Sequence, residues 1–311
     1  MILQIVALIL GLAMVIGGAN ALVDGASSLA RRWGVNEFVI GMLIVGFGTS
    51  LPELVVSVTG ALTRNSDIAI GNVVGSNIFN TLLILGISAM IVPVEITRSN
   101  RFRDLPVTIL VTFLVAFLGM NGGLSRAEGW ILIVLFICYI IYGFKFGKEE
   151  ESGEGEAGKL YTGWMASVLI LGGLACLVLG GRLFVNSAEQ IARLLGVSDK
   201  FIAVTILAMG TSLPELVTSI VALSKNHSQM ALGNILGSNV FNLLLILGVS
   251  AAIWPMSFAK IDIYDISVLI LSIVLVWTGI YTGKKNVLDR FDAGIMLTLF
   301  VAYMVKMFIA L

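Results

Sequence analysis

Long apolar runs, interrupted at intervals by a few polar residues, dominate this chain. Ten of them approach the roughly 20 residues a helix needs to cross a bilayer. They fall at about 2–23, 38–62, 69–92, 105–121, 127–146, 162–185, 201–223, 230–254, 264–282 and 290–310. The pattern predicts an all-α integral membrane protein with ten transmembrane helices. Between the fifth and sixth runs the character changes. Residues 148–159 hold Glu149, Glu150, Glu151, Glu154 and Glu156 among glycines, which reads as a solvated hinge. The chain therefore divides into a first five-helix repeat (1–146), an acidic, glycine-rich linker (147–161) and a second five-helix repeat (162–311). Five is odd, so the second set enters the membrane from the opposite side. The two repeats are expected to be inverted about an axis in the membrane plane.

The halves are also related residue by residue. Between Gly48 and Gly86, 23 of 39 residues are identical to those 162 positions later, Gly210 to Gly248. The hexapeptide Gly-Thr-Ser-Leu-Pro-Glu stands at Gly48–Glu53 and again at Gly210–Glu215, each inside an apolar run. Internal repeats of this kind in a membrane chain mark transporters.

Composition agrees with the membrane assignment. Hydrophobic residues make up 58% of the 311, charged residues 12%, and the mean hydropathy is +1.01. A soluble domain carries about twice that charge fraction. The formal net charge is zero, so no basic surface points to nucleic acid. Cys138 and Cys176 lie in apolar helix sequence and read as inert buried thiols. The first run lacks a basic leader and a small-residue cleavage site and reads as a retained helix. Loop lysines and arginines number twelve on one side and six on the other if the N-terminus is outside. That bias places both termini outside and the linker in the cytoplasm of a multi-pass plasma-membrane protein. The bilayer is the one partner implied, and no obligate protein partner is evident.

The repeated hexapeptide carries the chemistry. Pro52 cannot donate to the carbonyl of Gly48, nor Pro214 to that of Gly210, so both helices are expected to open at Gly-Thr-Ser and to leave backbone oxygens unpaired. Such a break is tolerated at membrane depth only where it lines a polar cavity or binds a cation. Glu53 and Glu215 are the only charges in their runs, and the next runs, 69–92 and 230–254, carry none. A buried carboxylate with no basic partner takes a proton or holds a cation. Thr49 and Glu53, like Thr211 and Glu215, are four apart and share a face. Asn72, Ser76 and Asn80 form a polar stripe that Asn234, Ser238 and Asn242 repeat. Gly71, Gly75, Gly233 and Gly237 beside the stripes suit close helix approach. The donors are all oxygen, which fits hard cations such as Na⁺, Ca²⁺ and Mg²⁺, and His227, the only histidine, lies in a loop. Two carboxylates balance one divalent ion or two monovalent ions. Ca²⁺ takes 6–8 oxygens, a number the carboxylates approach with Thr49 and Thr211. Asp24 and Glu189 are not duplicated, lie near the ends of their runs, and are expected to be solvated.

At these residues the chain resembles the cation/calcium exchanger superfamily, and most of all the prokaryotic sodium/calcium exchangers. Their paired repeats carry Gly-Thr-Ser-Leu-Pro-Glu followed by Gly-Asn-x-x-Gly-Ser-Asn-x-x-Asn, here Gly71–Asn80 and Gly233–Asn242. The resemblance implies ten helices, with the second and seventh discontinuous. It implies four cation sites near the midplane, and sliding of helices one and six past that core. It places Ca²⁺ on Glu53, Glu215, Thr49 and Thr211. It places Na⁺ on the same glutamates with Ser50, Ser76, Ser212 and Ser238 and backbone oxygens near Gly46 and Ala208. Some members have aspartate where this chain has Asn242. Here both central positions, Asn80 and Asn242, are neutral, so a third carboxylate is absent.

The expected function is secondary active antiport of Na⁺ for Ca²⁺ by alternating access, with the two ions as transported substrates and no cofactor. A proton/cation (H⁺/Ca²⁺) exchanger is the alternative, disfavoured by the four serines, since a proton needs no hydroxyl cage. A passive cation channel is a more distant one. No nucleophile–base pair, phosphate loop or cofactor motif marks an enzyme.

Overall fold

The computed structural model describes residues 1–146, 159–197, 210–258, 263–282 and 286–310. Most of linker 147–161, and the first part of the run at 201–223 with Ala208, lie outside the described residues.

Helix α1 (Ile2–Trp33) has 32 residues, about 48 Å at 1.5 Å per residue. That exceeds the roughly 30 Å hydrocarbon layer, so the helix continues well past residue 23, where apolar sequence ends. It stops at Gly34, whose left-handed backbone (φ 59°) a glycine adopts without strain. Its counterpart α7 (Gly163–Leu194) is equally long. The two pack through glycines. A Cβ at Gly18 would stand 2.7 Å from the Gly173 carbonyl, and one at Gly173 would stand 2.7 Å from that of Gly18. Small residues let these backbones touch.

After Asn36, which accepts the Phe38 N–H at 2.6 Å, the chain forms α2 (Glu37–Thr49) and α3 (Leu51–Leu62). They are bent by 49° at Ser50 (φ −84°, ψ 8°). Pro52 occupies the first turn of α3, where no N–H is required of it. In the second half Ser212 has the same backbone (φ −89°, ψ 5°), directly before α8 (Leu213–Ser224). Helices α4 (Ser66–Ile91) and α9 (Ser228–Ile253) are the most enclosed of the long helices, with 72% and 83% of their apolar windows buried. They form the centre of the molecule. Each contains one wide π-helical turn, Phe79–Ile84 and Phe241–Ile246, and α2 contains another at Gly41–Gly46. Around this centre lie α5 (Asn100–Met120), α6 (Arg126–Phe146), α10 (Ile263–Gly279) and α11 (Arg290–Ala310).

Seven described helices are long and apolar enough to cross a membrane. The bent α2–α3 pair makes an eighth span, and α8 and α10 are shorter apolar helices. The molecule is a helical membrane protein. The fold is helical as expected, with two short strand pairs in its loops, and one thiol departs from the buried reading. Strands β1 (Val94–Glu95), β2 (Gly123–Leu124), β3 (Met256–Ser257) and β4 (Val287–Leu288) pair antiparallel, β1 with β4 and β2 with β3. Each ladder ties a loop of the first half to one of the second and seats a buried apolar residue, such as Val94 or Leu288. Cys138 is exposed on the outer face of α6. In a membrane helix the outward face is itself apolar, so hydropathy alone does not distinguish the two sides.

Candidate cation site

The breaks at Ser50 and Ser212 bring Glu53 and Glu215 together at the centre, 1% and 0% exposed. Their hydrogen bonds cross between the halves. Ser50 Oγ donates to Glu215 Oε1 at 3.0 Å, and Ser212 Oγ donates to Glu53 Oε1 at 3.3 Å. The Thr49 hydroxyl lies against the Glu215 side chain and that of Thr211 against Glu53. The second oxygen of each carboxylate is buried with no hydrogen-bond partner among the described residues. No ion pair among the described residues involves either glutamate. The expectation of buried carboxylates without a basic partner thus describes the site.

Hydroxyls also hold the backbone just before the break. The Gly46 carbonyl accepts the Ser50 N–H at 3.1 Å and the Ser238 hydroxyl at 3.3 Å. The Val45 carbonyl has the Thr49 hydroxyl at 3.0 Å. Side-chain hydroxyls thus hold the Val45 and Gly46 carbonyls one turn before the Gly48 carbonyl that Pro52 cannot reach. Gly46 and Ser238 come from opposite halves, so this contact also joins the repeats.

Asn72 and Asn234 are braces. Asn72 Nδ2 donates to the Glu53 carbonyl at 3.1 Å and to Ser57 Oγ at 2.9 Å. Asn234 Nδ2 repeats this with the Glu215 carbonyl at 3.3 Å and Ser219 Oγ at 2.9 Å. Asn234 Oδ1 also takes the Thr49 hydroxyl at 3.2 Å. The other stripe positions, Ser76, Asn80, Ser238 and Asn242, are buried as well. For Asn80 and Asn242 neither amide atom has a hydrogen-bond partner among the described residues. Neutral amide oxygens so placed suit cation coordination, as do the free carboxylate oxygens. Gly233 presses on Phe38, and Gly237 on Met42, in α2. Among the described residues nothing presses on Gly71 or Gly75, and the segment of the second half that corresponds to Phe38 and Met42 lies outside them.

Some polar residues escaped the sequence reading. Asn77, Asn239 and Thr81 are buried beside the stripe. Ser57 and Ser219 anchor the braces. The repeat offered a signal for two of these pairs, because Asn77 matches Asn239 and Ser57 matches Ser219 at the same offset of 162. Asp24 was expected to be solvated. Its side chain is 38% exposed and accepts from Lys225 Nζ at 2.6 Å, where α1 runs on against the end of α8. Glu189 pairs with Arg193 one turn along α7 at 3.0 Å. His227 precedes α9, with Nδ1 2.8 Å from Glu37 Oε1.

Comparison with known proteins points the same way. The chain matches the family described as sodium/calcium exchanger protein over residues 3–145 and 165–309. It is 35% identical to the putative antiporter CaxA of Alkalimonas amylolytica over 99% of both chains. It is 31% identical to the sodium/calcium exchanger MaX1 of Methanosarcina acetivorans over 97% of both. Among solved structures, the sodium-calcium exchanger NCX_Mj soaked with Na⁺ and Ca²⁺ is similar at a TM-score of 0.86 and 31% identity, over 98% of each chain.

Proposed function

The chain belongs to the sodium/calcium exchanger protein family, and we propose that it is a secondary active antiporter that exchanges Na⁺ for Ca²⁺ by alternating access. One observation carries this reading. Two buried glutamates, one from each half, are each hydrogen-bonded by the other half's serine, and their second oxygens have no hydrogen-bond partner among the described residues.

The coupling follows from charge. The ionised pair presents −2 in a site shielded from water. One Ca²⁺ balances that charge, and so does a set of Na⁺ ions, but the same carboxylates do not serve both at once. An empty site leaves two like charges buried together, which penalises the occluded state that must cross between the two faces. Ion-loaded forms therefore cross more readily than the empty one, and the two fluxes become linked. In this scheme Glu53, Glu215, Thr49 and Thr211 hold Ca²⁺. The glutamates with Ser50, Ser76, Ser212, Ser238 and the backbone oxygens near Gly46 and Ala208 hold Na⁺. Asn80 and Asn242 contribute amide oxygens without charge. Ten spans in two inverted repeats, both termini outside and a cytoplasmic linker in the plasma membrane complete the proposed arrangement. The internal repeat and the loop charge bias support it.

The test is ⁴⁵Ca uptake into proteoliposomes loaded with Na⁺, K⁺ or acid. Uptake driven by the outward Na⁺ gradient and not by the others supports the proposal. Uptake driven by the proton gradient alone would replace it with H⁺/Ca²⁺ exchange.

A further inference from the structure

The two halves of the site are not equivalent. Asn80 is followed by Thr81, whereas its counterpart Asn242 is followed by Leu243. Thr81 is buried in the wide turn of α4, and its Oγ accepts a 2.7 Å hydrogen bond from Asn239 Nδ2 of α9. The mirror-image bond would run from Asn77 to residue 243, where leucine has no oxygen to receive it. Asn77 instead donates to the Val73 carbonyl of its own helix, also at 2.7 Å. One asparagine of a duplicated pair thus reaches across the repeat boundary, and the other folds back.

The crossing bond sits between two positions read above as cation ligands. Thr81 is the next residue after Asn80, and Asn239 is the next after Ser238. The path Asn80–Thr81···Asn239–Ser238 therefore fixes how far apart two ligands from opposite halves stand. A wide turn such as Phe79–Ile84 does not have the regular i→i−4 ladder of an α-helix, so a side-chain tether has more to decide there. We propose that Thr81 is a positioning residue that sets Ca²⁺ affinity by holding Asn80 in register with Ser238. Leu243 leaves the mirror position untethered, so the two ends of the ion pocket differ in stiffness although their ligands are the same. This rests on the exchanger reading of the site.

Thr81→Val keeps the shape and removes the acceptor, and Thr81→Ser keeps the acceptor. In Na⁺-loaded proteoliposomes the valine variant is expected to raise the KM for Ca²⁺ about fivefold, the size of one net hydrogen bond. Uptake at saturating Ca²⁺ should stay within about twofold of wild type, since the groups that neutralise the ion remain. The serine variant should restore the wild-type KM. If the valine variant does not insert, Thr81→Cys, a similar size with a weaker acceptor, makes the same comparison. An unchanged KM in the folded valine or cysteine variant overturns the proposal even if the melting temperature falls, because that pattern is purely structural. So does a serine variant as impaired as valine. Wild-type flux tests the exchanger reading separately. If wild type shows no Na⁺-driven uptake, that reading fails and the role of Thr81 fails with it.

Discussion

Glu53→Gln separates a cation site from a merely polar core. Glutamine has the same shape and keeps a side-chain oxygen for the Ser212 hydroxyl, which now donates at 3.3 Å. The fold should therefore survive. The charge of the pair falls from −2 to −1, and one oxygen that could face an ion becomes an NH₂ donor. The size of the effect depends on burial. For an exposed pair, losing one charge costs about 0–1 kcal/mol. Glu53 and Glu215 are 1% and 0% exposed, so water does not replace the lost ligand. Truncating one member of a buried charge pair costs about 2–5 kcal/mol. At about 1.4 kcal/mol per tenfold, Ca²⁺ binding should weaken about 30-fold to 4000-fold. The assay is initial ⁴⁵Ca uptake into Na⁺-loaded proteoliposomes at Ca²⁺ below the wild-type KM, with size-exclusion profiles matched beforehand. Uptake by the variant within threefold of wild type would refute the assignment of Glu53, and Glu215→Gln must behave alike.

Asn242→Asp takes the site from −2 to −3, which should slow Ca²⁺ release and make exchange more dependent on pH while the exchanged ions stay the same; pH profiles superimposable on wild type would turn residue 242 into a packing residue. Asp24→Asn should leave flux within about threefold of wild type, since its partly exposed bond to Lys225 belongs to a class worth about 0–1 kcal/mol; silencing as complete as that of Glu53→Gln would mean a ligand is missing from the pocket. Gly237→Ala puts a Cβ 2.7 Å from Met42 Cα, an overpacking expected to cost about 1–3 kcal/mol and to lower the melting temperature in detergent; an unchanged melting curve would count against the close α2–α9 contact.

The hexapeptides made the centre of the molecule readable because each residue in them has a local consequence. Pro52 marks the bend at Ser50 and Pro214 the first turn of α8, and Glu53 and Glu215 stand out as lone charges in apolar runs. The long-range partners were not readable in the same way. Nothing within the first repeat says that Ser50 bonds to Glu215 rather than to its own glutamate, since that choice depends on how two distant segments cross. The wide turns were also hidden, because Phe79–Ile84 and Phe241–Ile246 have no proline or paired glycine to announce them. Hydropathy located the long apolar helices among the described residues but cut α1 and α7 short. Helix α1 continues past Asp24, and residues Gly25 to Ala30 are buried against the rest of the protein although the apolar run has ended. Asn72 and Asn234 belong to the same polar stripes as Asn80 and Asn242, and only their bonds to Ser57 and Ser219 set them apart as braces.

The crossed serine–glutamate bonds have a consequence for how the chain is made. Glu53 and Ser212 are 159 residues apart. At about 5–20 residues per second, a ribosome takes about 8 to 30 s to bridge that gap. Through that interval the first half has its glutamate but not the hydroxyl that will bond to it. The first half is thus not a finished module when it leaves the insertion machinery, and its central turn settles only after the second half has entered the membrane. A chain truncated before Ser212 therefore never acquires the donor for Glu53, and the crossing bond forms only once the second half has been made.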